Sequence, residues 1–135
     1  MKDKKLLATI VVTLVVFGLL MLFIFDSENN VKNEIYETKT SQGEVTIDLT
    51  PVKFENGWLY LDIEVNTHTT DLDKFDLTQI AFLEFDGKQI KPLSVSRLSG
   101  HHTSGEIVFD LGQEITNFKI KIIGIPDVEE RVFEW

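Results

Sequence analysis

The chain has no cysteine among its 135 residues. That absence excludes disulfide staples, cysteine-based zinc motifs, thiol chemistry and a lipoprotein attachment site. An exported domain in this chain must therefore be stable through its core alone. Positive charge is scarce as well: 22 Asp and Glu stand against 13 Lys and Arg, for a formal net charge of −9. No basic stripe with interleaved aromatics is present, and an acidic surface repels the phosphate backbone, so no nucleic-acid partner is expected. Catalytic signatures are missing too. There is no G-x-S-x-G elbow, and Asp71, Asp73 and Asp76 lack the glycine and terminal glutamate of a calcium-binding EF-hand loop. The carboxylates fall mainly on the outward positions of the expected strands, as on a solvated face, and no enzyme is expected.

What the chain does have is one long apolar run. Leu6 to Phe25 comprises 20 residues without a charge. As a helix rising about 1.5 Å per residue it is about 30 Å long, the thickness of a bilayer's hydrocarbon core. The alternative is a buried core helix, but a soluble helix would carry a polar stripe, and this run has none. It ends Phe23-Ile24-Phe25-Asp26, bulky where a signal peptidase requires small side chains, so a retained signal-anchor is expected rather than a cleaved signal. Lys2, Lys4 and Lys5 precede the run against a single Asp3, while Asp26 and Glu28 follow it. The positive-inside rule then places residues 1–5 in the cytoplasm and everything after residue 25 outside it, in a single-pass protein of the cell membrane. The exported part retains 21 acidic and 10 basic residues, a formal charge of −11.

Residues 26–43 are polar and read as a tether. From Glu44 the pattern changes to period two. In EVTIDL, Val45, Ile47 and Leu49 share a face, which Pro51 is expected to end. In GWLYLDIEVNT, Leu59, Leu61, Ile63 and Val65 point inward while Asp62, Glu64 and Asn66 point outward. QIAFLEF runs into Asp86-Gly87, a strong hairpin signal, and KQIKPLSV returns from it. GEIVFDL, NFKIKIIGI and RVFEW complete the set. About seven short strands over residues 44–135 predict an all-β domain, an immunoglobulin-like antiparallel sandwich, though without that family's Cys…Trp…Cys pattern.

The three histidines, His68, His101 and His102, fall in predicted loops. Strand parity relates those loops. If strand 57–66 runs upward, strand 79–85 runs down, the Asp86-Gly87 turn lies at the bottom, and strand 88–95 climbs again. Both histidine loops then share one pole. Imidazoles on a rigid scaffold, with Asp71 and Asp73 close in sequence, suit a borderline cation such as Cu or Zn. The neighbouring side chains of His101 and His102 diverge, so one of the two is expected to bind. The alternative is that these histidines cap strands or bond to nearby carboxylates.

The segments NTHTTDL and SGHHTSGEIVF, with the terminal RVFEW, resemble an uncharacterised group of exported bacterial and archaeal β-domains. That group carries a DTHS-type segment, a GGHH-type loop and a similar FEW ending. Asn66 stands where the pattern has Asp, and Ser99 where it has its first Gly. The resemblance implies a shared fold and a site at His68, His101, His102 and Asp71, and names no reaction. A second function class remains open beside it: a non-catalytic module recognising a protein partner in the cell envelope, with Trp58 and Tyr60 as candidate exposed aromatics.

The absence of native cysteine makes the orientation directly testable. A single cysteine at Ser27 should react with a membrane-impermeant maleimide on intact cells, and one at Asp3 only after permeabilisation. Equal labelling of both before permeabilisation would contradict the anchor reading.

Overall fold

A computed structural model describes residues 36–135. The apolar run at 6–25 lies outside the described residues, among which no helix is long and apolar enough to cross a membrane. The described chain is all-β, in two antiparallel sheets. One sheet holds β1 (Lys39–Ser41), β2 (Val45–Glu55), β3 (Trp58–Thr67), β7 (His102–Asp110) and β6 (Ser94–Val95), in the order β1-β2-β3-β7-β6. The other holds β4 (Ala81–Phe85), β5 (Lys88–Ile90), β8 (Lys119–Ile123) and β9 (Glu130–Glu134), in the order β5-β4-β8-β9.

The period-two pattern does what it predicts. Val45, Ile47 and Leu49 of β2 and Leu59, Leu61, Ile63 and Val65 of β3 are all at most 1 % exposed. They meet Leu83, Ile120, Ile122 and Phe133 of the second sheet, and Phe118 just before β8, in one apolar core. Burial of these side chains is the main force joining the layers.

Turns follow local chemistry. Asn56 and Gly57 have φ of 55° and 82°, and Asp86 and Gly87 have 47° and 71°. Positive φ at both central residues matches a type I′ hairpin turn, which Asn-Gly and Asp-Gly adopt with least strain.

Four differences from the sequence pattern have physical causes. The polar stretch expected as tether over 26–43 belongs to the domain from Tyr36 onward. Tyr36 packs against Phe54 and Phe118, and β1 pairs with β2. An edge strand that buries little carries little apolar signature. Pro51 does not end its strand, because β1 stops opposite Leu49 and nothing beyond it needs the missing N–H. Instead β2 is irregular between Pro51 and Lys53, and continues to Glu55. The predicted return strand 88–95 is divided: Pro92 breaks it, and β5 and β6 lie in different sheets. Finally, residues 77–80 form a short helix, α1 (Leu77–Ile80), before β4 begins.

Arg131 has no counterpart in the sequence reading. It points inward from β9 and is 1 % exposed. Its Nη1 donates to the carbonyls of Ile125 (2.9 Å) and Val128 (3.0 Å), and its Nη2 to those of Pro126 (3.1 Å) and Val45 (3.1 Å). Asp127 Oδ1 completes the set at 3.0 Å, while Arg131 Nε has no partner. Asp127 Oδ2 in turn accepts from the Glu44 N–H at 2.6 Å. Gly43 is required beside it, since a Cβ there would come within 2.2 Å of that oxygen. One guanidinium thus ties the 125–128 turn of one sheet to the first residue of β2 in the other.

Arg131→Ala should destabilise the fold by about 3–5 kcal/mol, because it strands buried carbonyls and the Asp127 charge. Arg131→Lys should recover little, lacking the planar fork. Urea unfolding of the full chain in detergent checks this, and a loss below about 1 kcal/mol for Arg131→Ala would contradict the role assigned to it.

Candidate metal centre

The site starts from the pairing of β3 with β7. Asn66 and His102 are directly opposite in that ladder. Both lie on the outward face and both are exposed, since their partners in alternation, Val65 and Ile107, face the core. β7 begins at His102, three residues before the Gly105 that opens the expected strand, so this histidine sits on a strand rather than in a loop.

His102 Nδ1 lies 2.8 Å from Asn66 Oδ1. His68 follows the last residue of β3, and its ring meets the His102 ring edge to face, with centroids 5.4 Å apart and planes at 76°. The two histidine-bearing segments therefore come together at one pole, as strand parity implies. Arg131 bonds the carbonyl of Val45, which pairs with Thr67, so Arg131 and its neighbour Ile122 are at the same pole and the Asp86-Gly87 turn is at the other.

Local hydrogen bonds hold both segments. Thr67 is 3 % exposed, and its hydroxyl accepts from the N–H of Thr69 (3.3 Å) and Thr70 (3.2 Å), which turns the chain immediately after His68. The Thr67 N–H donates to the His101 carbonyl at 2.8 Å. On the other side, Thr103 Oγ1 accepts from the Ser99 N–H at 3.0 Å and donates back to the Ser99 carbonyl. Asp73 bridges the segments, with Oδ1 at 3.4 Å from Arg97 Nη2 and Oδ2 accepting from the Gly100 N–H at 3.4 Å.

Not every expected ligand joins this pair. Asp71 caps the 3-10 turn at Leu72–Lys74, accepting from the Asp73 N–H at 3.2 Å, and its other oxygen lies 3.5 Å from Lys74. His101 is exposed and contributes its backbone to the pole. Among the described residues no group of three or more His, Cys, Asp or Glu side chains is arranged to hold an ion. The pole therefore brings two imidazoles together, those of His68 and His102.

Asp76 shows how the acidic loop is used. It caps α1, and the Thr78 hydroxyl followed by the Thr78 N–H hold its carboxyl below the usual range. A depressed carboxyl favours the fold at neutral pH, and that contribution is lost as the pH falls through the ordinary carboxylate range and below. The cap is structural.

Asn66 has no mark of a site residue in its own strand. Its outward place in an alternating strand marks it only as polar. What identifies it is the cross-strand partner, and register is not visible in one strand alone.

A shallow depression of about 580 Å³ at the opposite pole competes for attention. Its charged lining is largely paired, with Lys119 Nζ 2.6 Å from Glu134. Its aromatic floor is structural. Trp135 stacks on Phe118 at 5.3 Å, and its indole N–H donates to the Glu37 carbonyl at 2.7 Å. This is how the FEW ending closes the fold over the segment that leads into β1.

No family model matches this chain, and no curated protein or solved structure matches it either.

Proposed function

We propose that the chain is a membrane-anchored, extracytoplasmic, immunoglobulin-like domain that binds one copper or zinc ion through His68 and His102, and that it is not an enzyme. The observation that carries the metal reading is the disposition of the two rings. With metal–nitrogen bonds of about 2.0–2.1 Å, two imidazoles on one tetrahedral ion have ring centres about 5 Å apart. The rings of His68 and His102 are 5.4 Å apart before any ion enters. Neutral imidazole suits both metals, and the absence of thiolate donors disfavours a soft-metal site.

The immunoglobulin-like assignment rests on strand order. Taking β2 as strand A, the sheets read A-B-E-D and C′-C-F-G, the pairing of that fold, with β1 added at one edge. The membrane anchor rests on the sequence of residues 6–25. The described chain enters at the pole away from the histidines, where Tyr36 meets Phe54 and Phe118.

One observation favours an interaction module as a second reading. Trp58 is 39 % exposed beside Tyr60 on the outer face of the larger sheet, and Lys53 Nζ lies 4.3 Å above the Tyr60 ring. Farther along that face Asp62 stands opposite Glu106, and Asp48 opposite Glu64. Like charges directly opposite are unfavourable in a sheet, so a cationic partner would gain by covering them.

Calorimetric titration of the full chain in detergent with Zn²⁺ and Cu²⁺ decides between the readings. One ion should bind at about micromolar affinity or tighter, and the double variant His68→Ala, His102→Ala should lose at least about 10-fold. His101→Ala should bind much as the unaltered chain does. Binding that is absent, or unchanged in the double variant, would sink the metal reading and leave the sheet face as the functional surface.

A further inference from the structure

We propose that Asn66 is the positioning residue of the histidine pole: its side-chain oxygen holds His102 with the proton on Nδ1 and leaves Nε2 as the metal-facing nitrogen. This rests on the reading of the pole as a transition-metal site and adds to it which nitrogen binds and what orients it.

An amide oxygen can only accept, so the 2.8 Å contact between Asn66 Oδ1 and His102 Nδ1 makes His102 the donor. A neutral imidazole protonated at Nδ1 carries its lone pair on Nε2, the opposite corner of the ring. An exposed histidine without such a partner samples both tautomers and several rotamers. Its ligating nitrogen then faces the ion only part of the time. Ligating histidines are ordinarily oriented by an acceptor on the second nitrogen.

The acceptor here sits on rigid backbone. Asn66 is within β3 and directly opposite His102 in the ladder. The next residue, Thr67, holds the His101 carbonyl through its own N–H at 2.8 Å. Backbone and side chain of the 66–67 step thus fix the 101–102 step together. His68 differs: it follows the strand end, on a turn held by the Thr67 hydroxyl. His102 is therefore the fixed ligand and His68 the one that adjusts.

The partner's chemistry also matters. An amide orients the ring without adding charge. A carboxylate in its place would orient the ring and also strengthen the ligand, and second-sphere partners of this kind change affinity by about 10–100-fold. Asn66 thus sets the site for reversible uptake. Because Asn66 is exposed, its replacement leaves the core intact.

The test combines a metal-free and a metal-bound reading of the full chain in detergent. Long-range ¹H–¹⁵N spectra without metal should show His102 mainly as the Nδ1–H tautomer, and Asn66→Ala should abolish that bias. Zinc affinity should fall by about 10-fold or more in Asn66→Ala, while Asn66→Asp should restore the tautomer and bind at least as tightly as the unaltered chain. A His102 that is mainly Nε2–H in the unaltered chain overturns the proposal. So does an Asn66→Ala variant with unchanged tautomer and unchanged zinc affinity, which leaves the metal reading standing. An unaltered chain that binds neither zinc nor copper overturns the metal reading itself. The tautomer spectrum, read without metal, then still supports or overturns the hold of Asn66 on His102.

Discussion

Nine consecutive residue pairs between β3 and β7, from Trp58–Asp110 to Asn66–His102, set the arrangement on which the rest depends. Because side chains alternate strictly, a slip of one residue would send Leu61, Ile63 and Val65 to water and bring Asp62 and Glu64 into the core. Close packing also pins the register. A Cβ at Gly105 would come within 2.3 Å of Ser96 Cβ, so that position admits the crossing segment only as glycine. Ser96 then bonds Glu106 in both directions, through N–H to carbonyl at 2.8 Å and through hydroxyl from N–H at 2.9 Å. With the register held in this way, His102 has no choice of cross-strand neighbour.

Arg131 extends the same constraint from one sheet to two. A buried guanidinium is costly unless its donors are met, and here four carbonyls and one carboxylate converge on it. The acceptors come from a single turn and from the start of β2, so this polar link between the sheets lies at the histidine pole. The opposite pole is closed differently, by aromatic packing among Tyr36, Phe54, Phe118 and Trp135. Apolar burial alone does not choose which end of one sheet faces which end of the other. A polar knot at one pole and an aromatic cluster at the other supply that choice.

Much of this was legible in residues read one strand at a time. Val45, Ile47, Leu49 and the leucines of β3 announce their face by period two, and Asp86-Gly87 announces its turn. The shared pole of His68 and His102 follows from counting strand directions. What was not legible depends on contacts across the chain. Lys39–Ser41 is polar because it lies at an edge, and nothing local distinguishes it from a tether. Pro51 is tolerated only because β1 stops short of it. Arg131 looks like a surface charge in a strand of alternating polarity, since its acceptors are backbone atoms up to 86 residues away. Asp71, attractive as a ligand by sequence proximity, serves its own turn instead, as short polar side chains often do.

The site inherits both properties of the scaffold. His102 lies where β3 and β7 pair, while His68 lies just past the end of β3, so the proposed ion would be held by one ligand on the ladder and one on a turn. On the proposed metal reading, two imidazoles from one chain would make a centre for reversible binding rather than a closed structural one. The most direct measurement is pulsed electron paramagnetic resonance on the full chain loaded with one equivalent of Cu²⁺, which counts coordinated imidazoles through their remote nitrogens. The account predicts two equivalent-strength imidazole signals, of which one disappears in His68→Ala and the other in His102→Ala. A spectrum without imidazole modulation, or one that neither substitution alters, would contradict it.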